Sequence, residues 1–247
     1  MKKRLLCATI PENRLFVSVT CKVKPKYRCK DTCNFPSAEG DAEYMKDKYD
    51  CDDDYPTGPI EWSDGKPRCL WANPKNERYI RYHDEEWGVP VHDDKKLFEM
   101  LILECFQAGL SWECVLNKRD AFRKAFDGFD SEKICGYDSD KLEKLRNNPD
   151  IIRNRLKIQA AVKNARIFRE IAREYGSFSN YLWQFTDGKI ICENTRTSSP
   201  LSDEISKDLK KRGMKFVGTT VIYAYLQAVG VINSHMDGCF LKEKTTI

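Results

Sequence analysis

Histidine is scarce in this chain, with three residues among 247 (His83, His92 and His235). Long apolar runs are missing as well. No stretch approaches the roughly 18 to 20 apolar residues that a membrane-crossing helix needs. The opening Leu5–Ile10 segment is too short for a secretory core before Pro11. A dominant charge is also lacking: the formal net charge of +4 permits contact with a polyanion but does not argue for one. These absences exclude a membrane-spanning protein and a standard secreted one. What remains, at 41% hydrophobic and 32% charged residues, is expected to be soluble and globular. Its length suits one good-sized domain plus a tail, or two small domains.

Cysteine, by contrast, is plentiful at 11 residues, an odd number, and five of them (Cys7, Cys21, Cys29, Cys33 and Cys51) precede residue 60. A secreted disulfide framework pairs an even count with a short chain and a signal peptide. None of these holds, so the thiols are read as reduced and intracellular, most of them serving as small buried hydrophobes. The composition breaks near residue 65. Residues 1–30 carry nine Lys/Arg and one Glu, and residues 31–60 carry nine Asp/Glu and two Lys. Few periodic apolar positions accompany this polarised charge, so residues 1–65 are expected to form a disordered extension. Its cysteines match no metal-finger spacing. Its basic start leaves organelle or nuclear targeting open, beside a cytoplasmic location if the chain is bacterial.

Residues 66–247 read as a nearly all-α domain. Asp93-Asp94 can cap a helix carrying Leu97, Phe98, Leu101 and Ile102, and Ser111 and Ser131 open two further segments. A long amphipathic stretch follows Pro149, with Ile151, Ile158, Val162, Ala165, Phe168, Ile171 and Ala172 on one face, and stops at Gly176. Helices over Leu201–Arg212 and Thr219–Val229 each stop at a glycine, and only Lys189–Glu193 looks strand-like.

Three groups of residues could carry chemistry. The first is the helix–turn–helix at 209–229. Its turn at Val217-Gly218 points a helix N-terminus outward beside Lys210, Lys211, Arg212 and Lys215, a natural seat for a phosphate. An ordinary core corner with a solvated basic face fits the pattern equally well. The second is His235-x3-Cys239 with Cys69 and His83 at the other end of the domain. Two Cys and two His would fill a tetrahedral zinc shell with no open position. From spacing alone, unrelated core and surface residues are the commoner outcome. The third is Glu104, stranded in the apolar run 101–106, with Trp112 eight residues on and Trp71, Tyr79, Tyr82 and Trp87 upstream. A carboxylate among large rings is a receptor for a flat, electron-poor heterocycle. Core packing is the commoner role for any one of these rings.

These signals converge on one family. RCLWA (68–72), YIRYHDEEWGVP (79–90), LFEMLILECFQAGLSW (97–112), IIRNRLKIQAAVKNA (151–165), LKKRGMKFVGTT (209–220) and HMDGC (235–239) closely resemble the DNA-3-methyladenine glycosylase I family of base-excision repair enzymes. The resemblance covers about three quarters of the chain, in order, and leaves residues 1–65 without a counterpart. It implies the all-helical helix-hairpin-helix glycosylase fold and one structural zinc on Cys69, His83, His235 and Cys239, joining the two ends of the domain. It implies that Glu104 reads the edge of a flipped base, that Tyr82 and Trp112 contact its ring, and that Trp71 and Trp87 lie in or near the pocket, with Tyr79 a weaker candidate. On the hairpin, Lys211, Lys215, Gly218 and Thr219 are the candidate DNA-backbone contacts. Many superfamily members carry an Asp where Asn233 stands, and bifunctional members carry a Schiff-base lysine where Thr220 stands. The implied activity is therefore simple hydrolysis of 3-methyladenine from double-stranded alkylated DNA by a monomer, without a lyase step. Two rivals are a zinc-stapled DNA-binding module without catalysis, which has no use for Glu104 and its rings, and a glycosylase of the same fold acting on another lesion.

Overall fold

The computed structural model describes residues 60–194 and 196–242. Among them, helices dominate and the strands are two residues each, as the all-α reading expects. The first 59 residues, and with them most of the expected extension, lie outside the described residues. Residues 60–65 do not stand apart from the fold: β1 (Ile60–Glu61) pairs antiparallel with β2 (Pro67–Arg68). The Arg68 guanidinium lies 4.5 Å over the Trp62 ring.

Two helices present the candidate pocket. In α1 (Glu77–Glu85) the side chain of Asn76 accepts from the Arg78 and Tyr79 amides, and the face bearing Tyr79, Tyr82 and His83 is buried. Helix α2 (Asp94–Gln107) is capped by Asp93 through the Lys96 amide and is buried from Leu97 to Phe106, because other helices surround it. Buried Arg119 locks the two together. Its Nε donates to Glu99 of α2 at 2.6 Å and its Nη1 to both carboxylate oxygens of Glu86, just past α1, at 2.9 Å. Arg119 opens α4 (Arg119–Ala125), which follows α3 (Trp112–Asn117), itself capped by Ser111.

Short helices α5 (Ser131–Cys135) and α6 (Ser139–Asn147) pack on the long α7 (Arg155–Tyr175). Asp130 rather than Ser131 caps α5. Asn154 caps α7, so Ile151 is buried ahead of the helix rather than on its face, and Gly176 closes α7 in the left-handed conformation. After α8 (Phe178–Trp183), β3 (Ile191–Cys192) runs parallel to β4 (Ile232–Asn233). Helices α9 (Pro200–Lys211) and α10 (Thr219–Ala228) pack on each other, and α10 also packs on α2. Gly230 lets the chain leave α10 against the 87–90 loop. Its φ is +74°, and a Cβ there would fall 2.3 Å from the Val89 carbonyl carbon. That crossing carries residues 232–239 back to the start of the domain.

Candidate active site and metal centre

Glu104 is 3% exposed, near the C-terminal end of α2. Burial alone pushes its pKa up to about 8. One of its oxygens, Oε2, has no hydrogen-bond partner, and neither does the indole Nε1 of buried Trp112. A buried acceptor and a buried donor, both unsatisfied, cost free energy unless something else completes them. The rings gather beside them. Tyr82 lies 5.2 Å from Trp112 between ring centroids. Trp71 sits 5.4 Å from Tyr79 and 6.4 Å from Tyr82. Both tyrosine hydroxyls are raised, first by burial, with the charge of Glu104 adding to the rise. Trp87 is a layer further back: it lies 4.7 Å from Trp71 on one side and 4.7 Å from the His235 imidazole on the other.

Behind Trp71 and Trp87, Cys69, His83, His235 and Cys239 are all buried, and their ligand atoms lie within 4.8 Å of one another. The gap between residues 83 and 235, left open by spacing, is closed by the Gly230 crossing. The donor set fits a tetrahedral ion. Ligand bonds of about 2.3 Å to sulfur and 2.1 Å to nitrogen give tetrahedral S···N edges of about 3.6 Å. Three such edges here, Cys69 to His235, Cys239 to His83 and Cys239 to His235, each measure 3.6 Å. Both imidazoles are turned for this. His83 Nδ1–H donates to Asp84 at 2.8 Å and His235 Nε2–H to the Trp87 carbonyl at 3.2 Å, so the remaining lone-pair nitrogens face the centre. Asp84 is fixed in turn by the Arg68 fork at 2.8 and 2.7 Å, and Arg68 also grips Asp64. The Cys239 thiol is held low, chiefly by the hydrogen bond from Cys69 and then by both histidines, while Cys69 is held correspondingly high. Two thiols this close are relieved by a shared proton or by a cation.

At the α9–α10 hairpin, Lys211 and Lys215 are exposed and Gly218 is the N-cap of α10, offering no side-chain acceptor to the first-turn amides. A Cβ on Gly218 would meet nothing within 4 Å, so the space beside this cap residue is open. The Thr219 hydroxyl, in contrast, is taken up by Ser202 at 2.8 Å, which leaves its amide as the group free to face a phosphate. Arg212 is also committed. Its Nε donates to Asp208 at 2.7 Å and its Nη1 to Glu174 at 2.5 Å, so its charge is largely neutralised.

A family model described as methyladenine glycosylase matches residues 71–242. This chain belongs to the methyladenine glycosylase family. It is 44% identical over 178 residues to the DNA-3-methyladenine glycosylase 1 of Escherichia coli (strain K12), a match covering 70% of this chain and 95% of that protein. It is similar to a crystal structure of a 3-methyladenine DNA glycosylase I with a TM-score of 0.68 and 46% identity, over 70% of this chain and 98% of the other. It is also similar to the Staphylococcus aureus enzyme studied for 3-methyladenine recognition, with a TM-score of 0.66 and 36% identity, over 68% of this chain and 93% of the other. Among the described residues, no helix of this glycosylase is long and apolar enough to cross a membrane.

Two features beside the candidate residues were not singled out in the sequence. The Arg68–Asp84 pair that orients His83 reads as scattered surface charge until the chain folds. Leu110, between α2 and α3, is an apolar side chain left 42% exposed on the loop joining Glu104 to Trp112. The glycine before it, Gly109, takes a φ of +82°.

Proposed function

We propose that this glycosylase hydrolyses the N-glycosidic bond of 3-methyladenine in double-stranded alkylated DNA as a monomer, releasing the free base and leaving an abasic site. The observation that carries this reading is the pair of unsatisfied buried groups, Glu104 Oε2 and Trp112 Nε1, beside the Tyr82 ring. A flipped purine supplies ring faces for Tyr82 and Trp112 and an edge for the Glu104 carboxylate. Trp71 flanks the base, while Tyr79 and Trp87 back the pocket wall.

The chemistry asks little of the protein. Methylation at N3 makes the base cationic, so it departs neutral, and positive charge passes to an oxocarbenium-like sugar in the transition state. Glu104, neutral in the free protein near pH 7, gives its proton to solvent as the cationic base enters and then binds that base as a carboxylate. A normal, uncharged adenine cannot supply the charge that drives this ionisation, and selection against it follows. Leu110 fills the gap that the extruded base leaves in the stack. Thr220 stands where a lysine would be needed for a Schiff base, so the strand is left uncut. Cys69, His83, His235 and Cys239 would hold one structural zinc, which would supply a crosslink between the ends of the domain and leave bond cleavage to the pocket.

Product analysis of methylated duplex DNA incubated with the purified protein tests the reading. Free 3-methyladenine and intact strands are expected. A nicked strand, or no release of this base, would overturn it. Lys215→Glu should weaken binding to undamaged duplex and lower its salt dependence by about one unit of slope, because Lys215 neutralises a phosphate. Its affinity for free 3-methyladenine, followed by tryptophan fluorescence, should not change.

We further propose that the fold and the activity reside in residues 60–247. A chain starting at Ile60 should melt and release base as the full chain does. Loss of solubility or of activity on truncation would show that residues 1–59 complete the domain.

A further inference from the structure

Two polar side chains on α7 are buried among apolar ones for no reason that the pocket or the metal cluster supplies. Lys157 is 6% exposed and Asn164 is not exposed at all. Burying an ammonium group or an amide is costly unless its hydrogen bonds are completed. Lys157 finds its partners on the backbone where α2 ends, and Asn164 on the backbone of the α9–α10 hairpin and on the Cys105 thiol, to which its Nδ2 donates at 3.7 Å.

Lys157 Nζ donates to the Phe106 carbonyl at 2.8 Å and to the Ala108 carbonyl at 2.5 Å. Helix α2 ends at Gln107, so these carbonyls lack amide partners within the helix, and the ammonium sits at the negative end of the helix dipole. It thereby fixes the chain where Glu104's helix gives way to the Leu110 loop. Asn164 does the same for the hairpin. Its Oδ1 accepts from the Lys215 amide at 2.8 Å and its Nδ2 donates to the Lys215 carbonyl at 2.9 Å. The Cys105 thiol, next to Glu104, donates to that same carbonyl at 3.8 Å. The following residue, Phe216, holds a φ of +58°, a conformation that costs a non-glycine residue about 1 kcal/mol or more and needs its surroundings to maintain it. The Phe216 ring lies 5.9 Å from Lys157 Nζ, so the two ends of the bracket meet.

Residues 157 and 164 are seven positions apart, two turns of one helix and about 10 Å along its axis, and they lie on the same face. We infer that Lys157 and Asn164 are positioning residues that hold the Leu110 loop and the α9–α10 hairpin at one fixed separation. Phosphate grip and base extrusion then act on the same nucleotide. The inference rests on the proposed DNA-facing role of these two loops. The bracket makes neither contact itself. It sets the distance between them, and a free nucleobase has no use for that distance.

The test uses the full-length protein and three readouts: affinity for undamaged duplex, single-turnover release of 3-methyladenine from methylated duplex at saturating enzyme, and affinity for free 3-methyladenine by tryptophan fluorescence. Asn164→Ala loses two backbone hydrogen bonds and should weaken duplex binding about tenfold. Lys157→Met should leave duplex binding within about twofold but slow saturating release at least tenfold, and Lys157→Arg, which can still donate to both carbonyls, should restore it. Affinity for free base should stay unchanged in all three. Lys157→Leu, which also lacks a donor, replaces Lys157→Met if the latter fails to fold. Three results would overturn the inference: a fall in all three readouts together, which marks mere packing; no separation between the Asn164 and Lys157 effects; or no rescue by Arg. Lys215→Glu distinguishes the deeper failure. If it leaves duplex binding intact, the hairpin does not hold DNA and the inference falls with that reading. If it weakens binding while Asn164→Ala does not, the bracket alone is refuted.

Discussion

Replacing Glu104 with Gln is expected to slow release of 3-methyladenine by about ten- to a hundred-fold, because a hydrogen bond to a charged acceptor contributes about 1.5–3 kcal/mol. The same substitution should make the free protein harder to melt. Burial raises the Glu104 pKa from 4.5 to about 8. The unfolded chain therefore gives up this proton at a lower pH than the folded one. The sign follows: folding loses nothing to Glu104 below about pH 4.5, and the loss grows as pH rises toward 8. At about 1.4 kcal/mol per unit the full penalty is of the order of 4–5 kcal/mol. A buried glutamine leaves its own unsatisfied groups, so a net gain of about 1–3 kcal/mol at pH 8 is the expectation. Thermal melts of both proteins from pH 4.5 to 8 should diverge toward the alkaline end. The wild-type rate should rise with pH over the same window as Glu104 ionises more readily, and the Gln variant's rate should stay flat. A variant that excises normally, or melts in parallel with wild type at every pH, would show that Glu104 is not the buried reader of the base. A less active but more stable variant is what a functional residue held at a cost to folding produces.

How much of this was legible in the sequence depended on how local the signal was. Glu104 stood out because a carboxylate interrupts the apolar run 101–106, an anomaly visible within one helix turn. The Asp93, Ser111 and Gly176 boundaries were readable because a cap is decided by the residue itself and its immediate neighbours. The metal cluster was not settled by spacing, since His83 and His235 meet only after Gly230 lets two backbones pass within touching distance. Ile151 looked like part of the α7 stripe because periodicity does not show where a helix begins, and Asn154 decides that. Lys157 and Asn164 were the hardest to see. On an amphipathic helix a lysine and an asparagine read as solvent positions, and only the two loops packed against α7 turn them inward. The charge on Arg212 looked available for DNA because one of the partners that occupy it, Glu174, lies on α7, far from it in sequence.

The metal centre carries the other large expectation. Protein purified without added metal should contain about one equivalent of zinc, as a closed four-ligand shell implies. Cys239→Ala should lower the melting midpoint by roughly 10 °C or more. An ion held there would tie together residues at opposite ends of the domain, where a crosslink of this span contributes on the order of 3–5 kcal/mol, and each kcal/mol shifts a domain of this size by about 2–4 °C. Asp84→Asn makes a gentler test, because it keeps the shape beside His83 and removes the carboxylate that orients it. About a ten- to hundred-fold loss of zinc affinity is expected there, measured by competition with a chromophoric chelator. Release of 3-methyladenine per folded molecule should change far less in either variant, since Trp71 and Trp87 separate the cluster from Glu104. The two losses therefore diverge: stability and zinc fall while turnover of the folded fraction holds. Metal-free protein with an unchanged melt would remove zinc from the account. A turnover loss matching that of Glu104→Gln would instead place the cluster in the chemistry rather than in the scaffold.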